Sequence, residues 1–208
     1  MLLAASVVQT RHNPKLFGFI LTLTVCLALL HAHVLLARDF QGFNGSSHPT
    51  STFNRQDWPH WIDDDHDCQD TRAEILLRDT LGPIKFKRNK PCNVSWGRWL
   101  CPYTGKEILK ASELDIDHIV PLAHAHRNGG ANWPREKKRQ FANDPANLLA
   151  VDASTNRAKG DQGPDQWRPP NRRFWPEYAR RWRAVKVKYG LVSSAAEEAA
   201  LREMAGGH

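Results

Sequence analysis

Asp115 to Leu122 reads "DIDHIVPL", an apolar stretch of strand character that carries Asp115, Asp117 and His118 within four residues. Ionisable side chains are normally kept off a strand that helps build a core. Adjacent strand residues also point to opposite faces. Asp117 and His118 can therefore serve one site only if the strand ends, bulges or twists there. Pro121, shortly after, suits such a break. Taken alone, an Asp-His pair is most simply a buried ion pair or a cap, so the surrounding sequence has to raise it to chemistry.

That context lies downstream. "NLLAV" (147–151) is a short apolar strand, and Asp152 stands as N-cap to "ASTNRAK" (153–159), about two helical turns with Gly160 at C′. Asn156 falls one turn into this helix, poised to face the strand pair. The expected unit is strand 115–121, a long insertion from His124 to Pro145, strand 147–151, then a helix. Hydrolysing a phosphodiester needs a base for water, a cation for the developing charge and stabilisation of the leaving 3′-oxygen. Asp117 can hold the metal, His118 can take the proton, and Asn156 can offer a second ligand oxygen. Mg²⁺ prefers oxygen ligands and keeps several waters, so one carboxylate and one amide oxygen suffice. An unperturbed imidazole titrates near pH ~6.5, so the rate is expected to fall on the acid side of roughly pH 6–7.

"DIDHIVP" followed by "NLLAV" and "NRAKGD" resembles the HNH, or ββα-metal, nuclease superfamily, in the branch with Asp-His in the first strand and Asn in place of the final His on the helix. The HNH domain of CRISPR effector nucleases shares that variant. The larger pattern, with "CQDTRAEIL", "PYTG" and "FANDPANLLAV", is similar to small exported bacterial HNH endonucleases over about residues 58–190. The resemblance implies an α+β fold, a ββα-metal core with surrounding helices and short strands. It implies His118 as general base, Asp117 and Asn156 as metal ligands, and Asn147 as the middle Asn that braces the loop and the base. The implied cofactor is a divalent cation, Mg²⁺ first, with Mn²⁺ or Ca²⁺ as alternatives. The insertion is longer than in minimal HNH units.

Outside this unit, Arg11 and Lys15 precede a 22-residue apolar run from Leu16 to Ala37. Residues 1–37 thus read as an export signal, or, uncleaved, as an anchor attaching the chain to a membrane through residues 16–37. Either places the body outside the cytoplasm, secreted or periplasmic. Residues 38–57 are rich in Gly, Ser, Thr and Asn and read as a linker, leaving 58–208 as the nuclease domain with a C-terminal helical extension. Cys26 lies in the signal; of Cys68, Cys92 and Cys101, two are expected to pair in an oxidising compartment. Gly97 could turn a hairpin that joins Cys92 to Cys101, and Cys68 with Cys92 is nearly as good.

Helices are expected from Arg72 to about Thr80, behind a Thr71/Glu74 capping box, near Pro134, over 176–189, and after Ser194, whose spacing to Glu197 forms another box. Short strands fill 84–110. Asp63, Asp65, Asp67 and Glu74 occupy calcium-loop spacing, but Cys68 stands where a Gly is needed, so a solvated acidic loop is the simpler reading. His124 and His126 match no zinc pattern and are expected to face solvent or substrate.

The formal charge is +7 and stays +5 without Arg11 and Lys15, so the basic excess belongs to the body. It agrees with, without proving, an anionic partner. Arg157 and Lys159 are best placed to touch a scissile strand, and Arg180 and Arg183 lie in the basic run 168–188. Tyr178, Trp182, Val185 and Tyr189 follow helical spacing there and read as core. The expected function is an exported, metal-dependent endonuclease acting on DNA, with RNA as a second candidate substrate. Little sequence preference is expected, because no base-reading module is recognisable. Two alternatives are a surface nucleic-acid-binding module without chemistry and a nuclease toxin with an immunity partner.

Overall fold

Two small antiparallel sheets, each packed on helices, give an α+β architecture in the computed structural model, which describes residues 52–206. The expected signal or anchor, residues 1–37, lies outside the described residues. Among those described, no helix is long and apolar enough to cross a membrane. The linker expected over 38–57 ends sooner than the composition suggested. Asn54 accepts from the Gln56 N–H and caps a 3-10 turn, Arg55–Asp57, and Phe53 packs on the fully buried Trp58. Polar composition hid this because one aromatic ring is enough to dock so short a segment.

Helix α1 (Thr71–Asp79) starts one residue before the expected position. Asp70 caps it by accepting from the Ala73 N–H. The Thr71 hydroxyl instead donates to the Ile62 carbonyl and to Asn143 Oδ1. Strands β1 (Lys85–Lys87), β2 (Lys90–Leu100) and β3 (Glu107–Lys110) form the first sheet in that order. Because β2 is one continuous strand, the hairpin expected at Gly97 is absent. At ~3.3 Å per residue the strand holds Cys92 far from Cys101. Cys92 pairs with Cys68, while Cys101 is a buried free thiol that accepts from the Asp152 N–H. Gly97 is there for close approach, since a Cβ on it would sit 2.5 Å from the Trp99 ring.

Strands β4 (Leu114–His118) and β5 (Leu148–Asp152) form the second sheet, in unbroken antiparallel register from Leu114↔Asp152 to His118↔Leu148. Between them run α2 (Leu122–Ala125), a tight turn in which Gly129 takes φ +122°, and α3 (Arg135–Ala142). Helix α4 (Ala153–Lys159) follows β5 directly. Asp152 caps it by accepting from Thr155, and Gly160 ends it at φ +55°. Helices α5 (Trp175–Tyr189) and α6 (Ala195–Ala205) complete the chain. The stripe Tyr178, Trp182, Val185 and Tyr189 is buried, as its spacing required. Ser194 caps α6, but Glu197 does not reach back to close a box. Its carboxylate turns inward to Trp182 and Lys186.

A candidate active site at the end of strand β4

Asp115 and Asp117 lie two apart on β4 and share a face, while Asn156 and Lys159 lie three apart on α4 and share another. The two faces meet. Asn156 Nδ2 donates to Asp115 Oδ2 at 3.2 Å, and Lys159 Nζ donates to Asp117 Oδ1 at 2.9 Å and lies 2.8 Å from Oδ2. The Tyr103 hydroxyl donates to Asp117 Oδ2 at 2.5 Å. Burial pushes the Asp117 carboxyl above the usual range, against the pull of Lys159 and Tyr103. Lys159 is fully buried, and its ammonium also holds the His118 carbonyl at 2.8 Å. The expected phosphate contact by Lys159 is therefore corrected. Chain adjacency to Asn156 suggests a surface position, whereas helical phase turns Lys159 inward to fix Asp117.

His118 is the last ladder residue of β4, and alternation holds: Asp117 turns to Tyr103 and Lys159, His118 to Trp61 and Ala142, while both residues border one cleft. Beyond it, the Ile119 N–H donates to the Asn147 carbonyl and the Val120 N–H to Asn147 Oδ1 at 2.9 Å. Asn147 Nδ2 returns a bond to the Val120 carbonyl. Asn147, fully buried, thus clamps the turn that leaves His118 at the strand end.

The His118 ring stacks on Trp61, centroids 5.7 Å apart, and its Nε2 lies 2.8 Å from the Ala142 carbonyl. A carbonyl only accepts, so Nε2 carries the proton and the neutral ring keeps its lone pair on Nδ1. Burial lowers the imidazole to about 3; Arg55, Lys159 and His60 push the same way, and the Ala142 bond opposes them. A neutral imidazole held in this way is displaced from the unperturbed value on which the pH 6–7 acid limb was based. Ala142 ends α3, so the long insertion orients this histidine. Asn143, the next residue, ties α3 to the N-terminal segment through the Pro59 carbonyl and Thr71.

Asp117, His118, Asn156 and Arg157 line one open cleft of ≈ 460 Å³, together with Phe53 and Arg55. Sequence reasoning missed Phe53, Arg55, Trp61 and Tyr103. Only the "PYTG" segment held a signal for the tyrosine. Arg180 and Arg183 are not brought to this cleft. Arg180 is paired twice with Glu177, and Arg183 lies 3.4 Å from Glu198. Much of the basic run is spent internally in this way, with Arg181 on the Ala146 and Leu148 carbonyls and Lys188 on Asp144. His124 and His126 are buried rather than facing solvent or substrate. His124 lies 3.6 Å from Glu197 and against the Trp182 ring, and His126 meets Phe53 edge-on. In the exposed acidic loop the Asp63, Asp65 and Asp67 carboxylates come within 4.8 Å of one another. They accept from the loop's own backbone N–H groups.

The donor set of the cleft fits a hard divalent cation. Three of the roughly four lone-pair positions of Asp117 are taken by Tyr103 and Lys159, which leaves Oδ1 room for another ligand. The Asn156 N–H given to Asp115 frees its amide oxygen. Two oxygens satisfy an ion that keeps most of its waters.

Comparison with known proteins agrees in kind. The chain is 40% identical over 158 residues, 75% of its own length, to an "Uncharacterized secreted protein" of Arthroderma benhamiae, 76% of which is covered. No solved structure matches the chain. Residues 70–204, from the cap of α1 to the end of α6, match the family model described as the C-terminal domain of GmrSD restriction endonucleases. This chain belongs to that family.

Proposed function

We propose that the chain is a metal-dependent endonuclease of the HNH, ββα-metal type, hydrolysing phosphodiester bonds of DNA, and of RNA where a strand fits. The observation that carries this reading is the His118 imidazole, fixed by the Ala142 carbonyl as the Nδ1-acceptor tautomer in a cleft shared with Asp117, Asn156 and Arg157. Nδ1 takes a proton from water as the water oxygen bonds to phosphorus, and the bond from phosphorus to the 3′-oxygen breaks. A divalent cation held by Asp117 and Asn156 would neutralise the charge that builds on the phosphate. Lys159 and Tyr103 hold Asp117 in place, Asn147 holds the turn after His118, and Arg157, exposed on α4, meets the phosphate. Membership in a restriction-endonuclease domain family supports nuclease chemistry.

Export is the matching reading for location. Arg11, Lys15 and the run 16–37 form a signal pattern, the Cys68–Cys92 bridge suits an oxidising compartment, and the fungal relative is described as secreted. The test is nicking of supercoiled plasmid, linear DNA and RNA by purified protein, with and without chelator. Cutting that needs Mg²⁺ or Mn²⁺ is expected, and undiminished cutting in excess chelator would sink the metal assignment. For export, cell fractionation with N-terminal sequencing should find the body outside the cytoplasm.

A further inference from the structure

Lys85, Trp96 and Lys110 stand in one row across β1, β2 and β3, each the direct cross-strand neighbour of the next. Directly opposed residues share a face of a sheet, and all three are exposed, Trp96 to 36%. Lys85 Nζ lies 5.0 Å from the Trp96 ring centroid. Phe86, at 41%, is a second exposed aromatic on the same sheet. Trp96 is not required by the core, which Val94, Trp99 and Ile108 of the same sheet already serve. Between Lys85 and Lys110 the chain carries seven cations (Lys85, Lys87, Arg88, Lys90, Arg98, Lys106, Lys110) and one acid, Glu107, a local balance of +6 against +7 for the whole chain. Of these cations, Arg98 and Lys110 make long, exposed contacts to Glu107 at 3.8 Å and Glu113 at 3.5 Å, which are weak and screened, so the sheet still presents much of the excess charge. A cleft of ≈ 280 Å³ beside it adds Lys87, Asn93 and Ser95 from the same strands.

We propose that this sheet is a platform for single-stranded nucleic acid, on which one unstacked base lies against Trp96 while Lys85 and Lys110 hold the flanking phosphates. This rests on the nuclease reading and names how the same protein grips its substrate away from His118. Charge alone would suit any polyanion. An indole exposed between two ammonium groups favours a chain that alternates a flat π-face with a phosphate. A duplex supplies the phosphates but keeps its bases stacked on one another, so a single strand is the occupant that uses all three side chains.

The test measures binding of a fluorescein-labelled oligo(dT) by the full chain in EDTA across a salt series, with plasmid nicking in Mg²⁺ run in parallel. Trp96→Ala should weaken oligonucleotide binding about 5- to 150-fold with an unchanged salt slope, and Trp96→Phe should recover most of the loss. The double variant Lys85→Gln/Lys110→Gln should lower the log–log salt slope by about 1.4. Its positions are solvent-exposed, so it carries the test if Trp96→Ala fails to fold. Nicking by the wild type with oligonucleotide binding unaltered in both variants would overturn the platform and leave the nuclease reading standing. Trp96-dependent binding without any nicking would do the reverse. Equal competition by polyglutamate, or duplex binding as tight as single-strand binding and indifferent to Trp96, would also overturn it.

Discussion

Among the described residues lie two buried lysine–carboxylate clusters, and they are built to opposite ends. Around Glu197 the donors saturate the carboxylate: Trp182 Nε1 at 2.5 Å, Lys186 Nζ at 2.9 and 3.0 Å, and the Ser193 hydroxyl at 3.3 Å. Burial alone would raise this carboxyl, but His124, Lys186 and Trp182 overcome it and hold it at about 2. The cluster locks α5 to α6. Around Asp117 the donors among the described residues are Lys159 and Tyr103, burial wins, and the carboxylate borders an open cleft. A buried lysine–carboxylate pair thus serves as a closed rivet in one place. In the other it is an incompletely compensated anion, with room for a further cation.

The largest expected effect sits in the cleft. His118→Ala should lower the rate of plasmid nicking by roughly 10²–10⁴-fold, the usual cost of a general base. Its thermal unfolding and oligonucleotide binding should stay near wild type. Nicking at the wild-type rate would remove His118 from the chemistry. If folding and binding were lost together, the residue would instead be a structural member of the Trp61 stack.

Removing one partner of either cluster leaves a buried charge alone, which typically costs about 3–5 kcal/mol. Glu197→Ala strands Lys186, and Lys159→Ala strands Asp117. Both should shift urea unfolding by amounts of that order. The contrast appears on adding Mg²⁺. A cation can take the place of the ammonium beside Asp117, so Lys159→Ala should regain part of its loss, up to ~2.7 kcal/mol at a hundredfold excess over Kd. Glu197→Ala should regain nothing, because no cation can repair an unpaired lysine. Equal rescue of the two variants, or rescue of neither, would break the distinction.

The two sites also separate in pH. His118 has a folded pKa of about 3, below its unfolded value of ~6.5. The unfolded chain binds the proton first, so this contribution is complete above ~6.5 and is lost as pH falls toward 3. Glu197, held at about 2, contributes above its unfolded value of ~4.3 and loses that contribution only below it. Between about pH 6.5 and 4.5, then, the stability slope contains His118 and not Glu197. It should reach at most ~1.4 kcal/mol per pH unit for that one group. His118→Ala should flatten this interval, and Glu197→Gln should flatten only the more acid one. Urea titrations at half-unit steps read both. Over the same upper interval the rate should not fall as an ordinary histidine would make it fall.

Much of this site was legible because it is local. Asp117 and His118, Asn147, and the capped helix carrying Asn156 each announce themselves within a few residues. The short-range rules of strand alternation and helix capping place them. What escaped was decided over long separations. Ala142 reaches His118 across 24 positions, and Tyr103 and Lys159 converge on Asp117 from opposite sides of it in the chain. The disulfide stays undecided in the sequence, between Cys92–Cys101 and Cys68–Cys92, for a related reason. Gly97 signals a turn as readily as a close approach, and the Trp99 ring and Ile84 packed against it decide which. Lys159 shows the remaining weakness, since a lysine beside a ligand in sequence looks like a surface charge until helical phase is fixed by packing.

The smallest effects test where the basic charge acts. Arg157 lines the cleft and no salt bridge occupies it among the described residues, whereas Arg180 is engaged by both oxygens of Glu177. A charge-assisted contact to phosphate is worth ~1.5–3 kcal/mol, so Arg157→Gln should reduce kcat/KM by about tenfold or more. Arg180→Gln disturbs only an exposed i,i+3 pair, whose contribution is small and screened, and its kcat/KM should stay within about twofold of wild type. Both arginines lie in stretches that look equally basic in sequence, so the pair compares position with composition. Parallel nicking assays at two salt concentrations provide the reading. If Arg180→Gln lost as much as Arg157→Gln, with the larger loss at lower salt, the basic face of α5 would be part of the substrate track. Its pairing with Glu177 would then have to open when substrate binds.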